Sequence, residues 1–232
     1  MFNYQTDRET IEWSNTWIEN AGSSTSKRIL IIGDSVARNF RGSISKFLPN
    51  YAVDYIGSSS VFEDTLLYNI CDTFFKNEEY QWFMIILNIG GKHGYYLDTL
   101  HNQEQAAVYQ KGYEQFLAYV KTKCKNIVML TTTPTRMKKN VKKYDEKINA
   151  EIMSRNKIQT KLCLAEKIPT IDLYDYVIQK KFSYIDAQHF KNKKIEKKVA
   201  EYIISQLIEL KKIDELDFYK TKKYFGIFKI RK

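Results

Sequence analysis

This chain of 232 residues is poor in the residues that punctuate or staple a fold, with three prolines, nine glycines and three cysteines. So few Pro and Gly leave little room for linkers, low-complexity tracts or fibrous repeats. Cys71, Cys124 and Cys163 are odd in number, widely spaced and set mostly among apolar neighbours. That pattern argues against a disulfide framework or a metal site and for reduced core thiols, and neither metal nor cofactor is expected. Long apolar runs are also missing. The longest, Trp82 to Leu87, falls far short of a bilayer span, and Met1 to Arg8 lacks the basic start and apolar block of a secretory signal. A cytoplasmic protein is the expectation.

What is present is length enough for one well-buried core, an apolar fraction of 44%, and a formal charge of +10. We expect a single domain over residues 1–212 and a basic, aromatic tail over residues 213–232. The positive charge gathers in two places, Arg136 to Lys147 and Lys211 to Lys232. No nucleic-acid motif accompanies either cluster, so no nucleic-acid partner is expected. Solvated surface is the ordinary meaning of such clusters, and an anionic glycan or membrane face is the alternative. The tail, with Phe218-Tyr219 and Tyr224-Phe225 among its lysines, suits weak contact with an anionic inner membrane face.

Hydrophobic patterning predicts five strands: Arg28 to Gly33, Ala52 to Gly57, Trp82 to Gly90, Asn126 to Thr133 and Ile168 to Asp172. Helical spacing predicts helices from Val36 to Leu48, from Gln103 to Lys123 behind an Asn102 cap, and from Ile195 to Leu210. Alternation of strand and helix implies a three-layer α/β/α sandwich with a five-stranded parallel, flavodoxin-like sheet. Ligands of such sheets bind at the carboxyl ends of the strands.

Three polar side chains fall at those ends. Ser35 follows the first strand, in Gly33-Asp34-Ser35, and Asp186-Ala187-Gln188-His189 lies in the loop after the last. A serine hydroxyl attacks an ester only if a base takes its proton, and an imidazole with an ordinary pKa of about 6.5 is suited to do so. An aspartate three residues before the histidine can bind its Nδ1–H and leave Nε2 free for the serine. Asp34, beside Ser35, is read as fixing the turn by local hydrogen bonds. Arg38 and Arg41, in the first two turns after Ser35, either grip an acidic group of a substrate or form surface ion pairs. His93 lines the same rim as a pocket residue or serves as a structural histidine, and His101 is read as a surface residue.

Those segments resemble the SGNH, or GDSL-type, hydrolase superfamily of esterases, lipases, carbohydrate deacetylases and acyltransferases. Leu130-Thr131-Thr132-Thr133-Pro134 and Ile171-Asp172-Leu173-Tyr174 are similar to strand ends in its bacterial branches. Glu12-Trp13-Ser14-Asn15-Thr16-Trp17 is similar to a lead-in of members associated with surface polysaccharides. The resemblance spans about residues 11 to 210 and implies Ser35, His189 and Asp186 as a catalytic triad. It also places an oxyanion hole among Ser60, Asn88 and Gly90. The second block has serine where the family has glycine, and Lys92 stands where an asparagine donor is usual if Asn88 to Gly94 is aligned on Gly90. Aligned instead on His93, the segment puts Gly90 at that place.

The implied activity is hydrolysis of a small acyl ester, most plainly an O-acetyl group on a carbohydrate. Two alternatives share the fold: an O-acyltransferase acting on a surface polysaccharide, and a catalytically silent module that binds glycans or a protein partner. Substrate contacts are expected from His93 and Arg38.

Overall fold

The computed structural model describes residues 13–23, 26–60, 62, 64–77, 80–92 and 97–218. In chain order its elements are β1 (Ser14–Trp17), β2 (Lys27–Gly33), α1 (Ser35–Phe47), β3 (Tyr51–Ser58), α2 (Thr65–Phe75), β4 (Trp82–Asn88) and α3 (Gln103–Lys123). There follow β5 (Ile127–Leu130), β6 (Arg136–Met137), β7 (Asn140–Tyr144), α4 (Glu146–Ala165), β8 (Thr170–Ile171), α5 (Leu173–Lys180) and α6 (Lys193–Glu209).

The expected parallel strands stand side by side in the order β3-β2-β4-β5-β8, the flavodoxin-like arrangement with the first parallel strand near the centre. The sheet nevertheless has six strands rather than five, because β1 adds to β3 antiparallel at the edge. All four residues of β1 are exposed, so no hydrophobic alternation marked it. Buried charge fixes the segment that follows it: Asp54 accepts the Glu19 N–H at 3.0 Å and pairs with the buried Arg28 at 3.0 Å.

Strand β2 shows how the layers are specified. Its Ile29 and Ile31 face the cluster under α1, α5 and α6, while Leu30 and Ile32 face the cluster under α2, α3 and α4. All four are fully buried, each worth about 1.5–3 kcal/mol by removal from water. A near-continuous apolar strand is therefore what two covered faces demand.

Two further departures come from residues without apolar periodicity. The fourth parallel strand stops at Leu130 instead of Thr133, and the basic cluster contains the β6–β7 hairpin, where no strand was expected. At the far end, Ile213 and Phe218 are buried, Phe218 edge-on to Phe47 at 5.9 Å between centroids, and Asp217 accepts from Tyr51 Oη at 2.9 Å. Residues 219–232 and His93 lie outside the described residues. No described helix is long and apolar enough to cross a membrane.

Candidate active site

The rim is built where three strands end together. Gly33 is in register with Gly57 of β3 on one side and with Asn88 of β4 on the other. A side chain at Gly33 would collide with Ala37 Cβ, so only glycine lets β2 turn directly into α1. Asp34 is the cap of that helix. Its Oδ1 accepts the N–H groups of Val36 at 2.8 Å and Ala37 at 3.2 Å, and its carbonyl accepts from Tyr55 Oη at 2.7 Å. The local bonding expected of Asp34 is what the structure contains. Ser35 is the first residue of α1, so its own N–H has no acceptor within the helix.

The loop before α6 brings the other two groups across the sheet. Asp186 Oδ1 accepts the N–H groups of Gln188 at 2.7 Å and His189 at 2.8 Å, a tight turn closed by its own first residue. Around it, Ile185 N donates to the His189 carbonyl, Lys191 N to that of Ser183, and Arg136 N to that of Ala187 at 2.7 Å. Tyr184 Oη anchors the base of the loop on the Pro134 carbonyl at 2.9 Å.

Held in this way, Asp186 Oδ2 lies 2.8 Å from His189 Nδ1, and His189 Nε2 lies 2.8 Å from Ser35 Oγ. The three side chains picked from distant sequence are thus in one hydrogen-bonded line. Burial pushes the Asp186 carboxyl's pKa up, but the two backbone N–H bonds and the facing imidazole outweigh it, and the net direction is down. Asp186 is an anion at neutral pH, as a partner for Nδ1–H must be.

The oxyanion candidates are less uniform. Ser60 is buried, with its N–H donating to Ser58 Oγ at 3.0 Å and its own hydroxyl without a hydrogen-bond partner among the described residues. The Asn88 amide is committed to the Leu130 and Thr131 carbonyls at 3.1 and 3.3 Å, tying β4 to the end of β5. Gly90 has φ +90, and a side chain there would enter the ring of Phe62. Its carbonyl accepts from Tyr109 Oη at 3.0 Å.

Lys92 is the residue whose environment the sequence did not disclose. It is buried, its Nζ donates to Thr133 Oγ1 at 3.1 Å, and it lies near enough to Asp34 and Asp186 to feel both charges. Burial drives its pKa down, and the two carboxylates pull it only part of the way back. Its nearest sequence signal was a lysine in the apolar segment after β4. Arg155 supports this loop from below, with Nη1 on the Gly91 carbonyl at 3.2 Å and Nη2 on that of Leu97 at 2.7 Å.

The arginines after Ser35 divide. Arg41 pairs with Glu19 at 2.7 Å, bonds the Val53 carbonyl and stacks on Trp17, which is the ion-pair reading. Arg38 is exposed and makes no ion pair among the described residues. His101 is a surface residue beside Asp98, and all three cysteines are buried and free.

Similar architectures identify this layout. Over 78% of this chain and 99% of its own, an acetyl xylan esterase, AlAXEase, superposes with a TM-score of 0.56 at 16% identity. The chain has the SGNH-hydrolase fold. A lipase/acylhydrolase from Enterococcus faecalis matches over 78% of this chain and 95% of its own, with a TM-score of 0.53 and 14% identity. A catalytic mutant of Axe2, an acetylxylan esterase from Geobacillus stearothermophilus, matches over 78% and 94%, with a TM-score of 0.54 and 12% identity. No family model and no curated protein sequence matches the chain. At these identities the likeness establishes the SGNH fold, and the chemistry has to be argued from the residues on its rim.

Proposed function

We propose that this protein is a serine esterase that removes a small acyl group, most plainly acetyl, from a carbohydrate hydroxyl. The observation that carries the reading is the unbroken line Asp186–His189–Ser35, with 2.8 Å at each step. In this mechanism Ser35 Oγ attacks the ester carbonyl while His189 Nε2 takes its proton, and Asp186 stabilises the imidazolium that forms. The carbonyl electron pair moves onto oxygen to give a tetrahedral oxyanion. The donor assigned to that charge is the N–H of Ser35, the first residue of α1, helped by the positive end of the helix, with Lys92, which feels the charges of Asp34 and Asp186, as a nearby cation.

Collapse of the intermediate breaks the ester C–O bond, and His189 returns its proton to the departing sugar oxygen. Water then attacks the acyl-Ser35 ester, deprotonated by the same imidazole, to release the carboxylic acid and the free serine. A carbohydrate ester is favoured because two of the similar structures are named acetyl xylan esterases, and the partial exposure of His189 and Asp186 suits a bulky alcohol.

The deciding measurement is turnover of p-nitrophenyl acetate against butyrate and octanoate, together with labelling by a fluorophosphonate. We expect acetate to be preferred and labelling to require both Ser35 and His189. Ser35→Ala is expected to lower kcat by a factor on the order of 10⁴ to 10⁶. A folded wild-type protein that neither hydrolyses the acetate nor takes the label refutes the proposal.

A further inference from the structure

Beside the triad loop lies a second concavity that the ester chemistry does not use. It is an open cavity of about 1090 Å³ between the β6–β7 hairpin and the segment running from the end of α5 to Lys191. Neither Ser35 nor His189 lines it. Five cations do: Arg136, Lys142, Lys143, Lys181 and Lys191. Two carboxylates oppose them, Asp145 and Glu146, which leaves a net +3 on the wall (5 − 2). Asp145 is already engaged as the cap of α4, accepting from Ile148 N at 3.2 Å.

Among the described residues, none of the five cations forms an ion pair with a carboxylate. Arg136 is the most telling of them. Its side chain is buried, with 8% relative exposure, and its guanidinium stacks on the Tyr144 ring at 3.5 Å. Nη1 and Nη2 bond the carbonyls of Lys142 and Phe182, both at 3.1 Å, and Nε has no hydrogen-bond partner among the described residues. Neutral carbonyls orient a guanidinium but leave its charge unbalanced. A desolvated, uncompensated cation in a low-dielectric wall raises the potential over the whole cavity, and the exposed lysines around it supply direct contacts.

The position of the cavity says what the anion belongs to. Its wall includes Ser183, Tyr184 and Lys191, and the loop they flank carries Asp186 and His189, pinned to β6 by the bond from Arg136 N to the Ala187 carbonyl. The cavity and the triad therefore share one loop, with residues on either side of Asp186 and His189 forming part of the cavity wall. The aromatic side chains of Tyr144 and Tyr184 give the cavity an apolar floor between the charges. A concave, aromatic-walled site of this kind fits a polymer strand, whereas an anionic membrane calls for an extended convex face.

We infer that this cavity is a subsite for an acidic sugar of the substrate, so that the esterified polymer is an anionic polysaccharide bearing carboxylate or phosphate groups. The inference rests on the reading of Ser35 as an ester nucleophile and narrows its substrate class.

Binding is tested with the full-length Ser35→Ala protein, which cannot turn over, using polygalacturonate, poly(glycerol phosphate), neutral xylan and phosphatidylglycerol vesicles at low and high salt. The expected result is binding of one or both polyanions that weakens with salt, with little binding of xylan. The two polyanions separate carboxylate from phosphate as the recognised group. The paired reversal Lys142→Glu/Lys143→Glu, and Lys191→Glu separately, are each expected to weaken polyanion binding about tenfold. In the otherwise wild-type enzyme the ratio of KM for acetylated polygalacturonate to KM for acetylated xylan should rise by a similar factor. Equal affinity for xylan, indifference to the reversals, or preference for the vesicles overturns the subsite. Failure to hydrolyse p-nitrophenyl acetate refutes the esterase reading instead, and leaves the binding result standing on its own.

Discussion

Asp186 holds His189 at two points: Oδ1 accepts the histidine's backbone N–H at 2.8 Å, and Oδ2 faces its Nδ1 at 2.8 Å. One carboxylate thus fixes both where the residue sits and how its ring is turned. Asp186→Asn separates the two tasks. The amide oxygen can still accept the backbone N–H groups, so the loop keeps its shape, but an amide NH₂ facing Nδ1 stabilises the tautomer that carries its proton on Nε2. That ring cannot accept a proton from Ser35. We expect kcat for p-nitrophenyl acetate to fall by about 10⁴, with an unchanged thermal unfolding curve, since Asp186 is largely exposed. Full activity in this variant would remove Asp186 from the mechanism.

The direction of the Asp186 shift sets the pH profile. Its carboxyl is held below the ordinary carboxylate value of 3.8, so it remains ionised throughout the range in which an imidazole titrates. A depressed carboxyl stabilises the fold above its unfolded pKa, and that contribution disappears only as pH falls through the lower folded value. Between roughly pH 5 and 8 the Asp186 carboxyl should therefore take up no proton, and the acid limb of kcat/KM is expected to have a slope of one. A slope of two in that window would mean that Asp186 takes up its proton there as well.

Arg155 offers a test of how α4 supports the rim. It is buried on α4 and bonds the carbonyls of Gly91 and Leu97, one on each side of Lys92 in the chain. Arg155→Met fills similar space but leaves both carbonyls without those donors. The expected cost is roughly 2–4 kcal/mol in urea unfolding, together with a loss of esterase activity larger than the loss of folded protein accounts for. A variant as stable as wild type would show that the loop holds itself.

The legible parts of this molecule were those written in hydrophobic periodicity or in short polar motifs. The β2 run Ile29 to Ile32, the Asp34 cap and the Asp186-x-x-His189 turn each act through neighbours in sequence, so sequence alone disclosed them. What escaped depended on distant partners. Strand β1 has no apolar alternation, and the segment after it is held by Asp54, 35 residues beyond Glu19. The β6–β7 hairpin was hidden because its lysines alternate with nothing the core needs. Asn88 was a natural oxyanion candidate until its amide was found bonded to the end of β5, 42 and 43 residues away. Lys92 read as a break in a family pattern, and only the fold shows that it is buried within reach of the charges of Asp34 and Asp186.

Lys92 sets stability against function. Folding lowers the pKa of its ammonium below the ordinary 10.5, so the folded chain binds that proton less tightly than the unfolded chain. The group therefore disfavours the fold most where both states are protonated, below the folded value, and stability recovers as pH climbs from there to 10.5. Lys92→Met removes the burden. At neutral pH the variant is expected to be more stable by roughly 1–3 kcal/mol, a gain that shrinks as the buffer approaches pH 10.5. On the proposed mechanism the same change removes a cation near the developing oxyanion, and kcat should fall about 10- to 100-fold with little change in KM. Urea unfolding at several pH values, read beside p-nitrophenyl acetate kinetics, separates the two effects. A variant that is both more stable and fully active would show that the lysine has no part in the chemistry, and would return the oxyanion role to the backbone at Ser35 and the rim of β3.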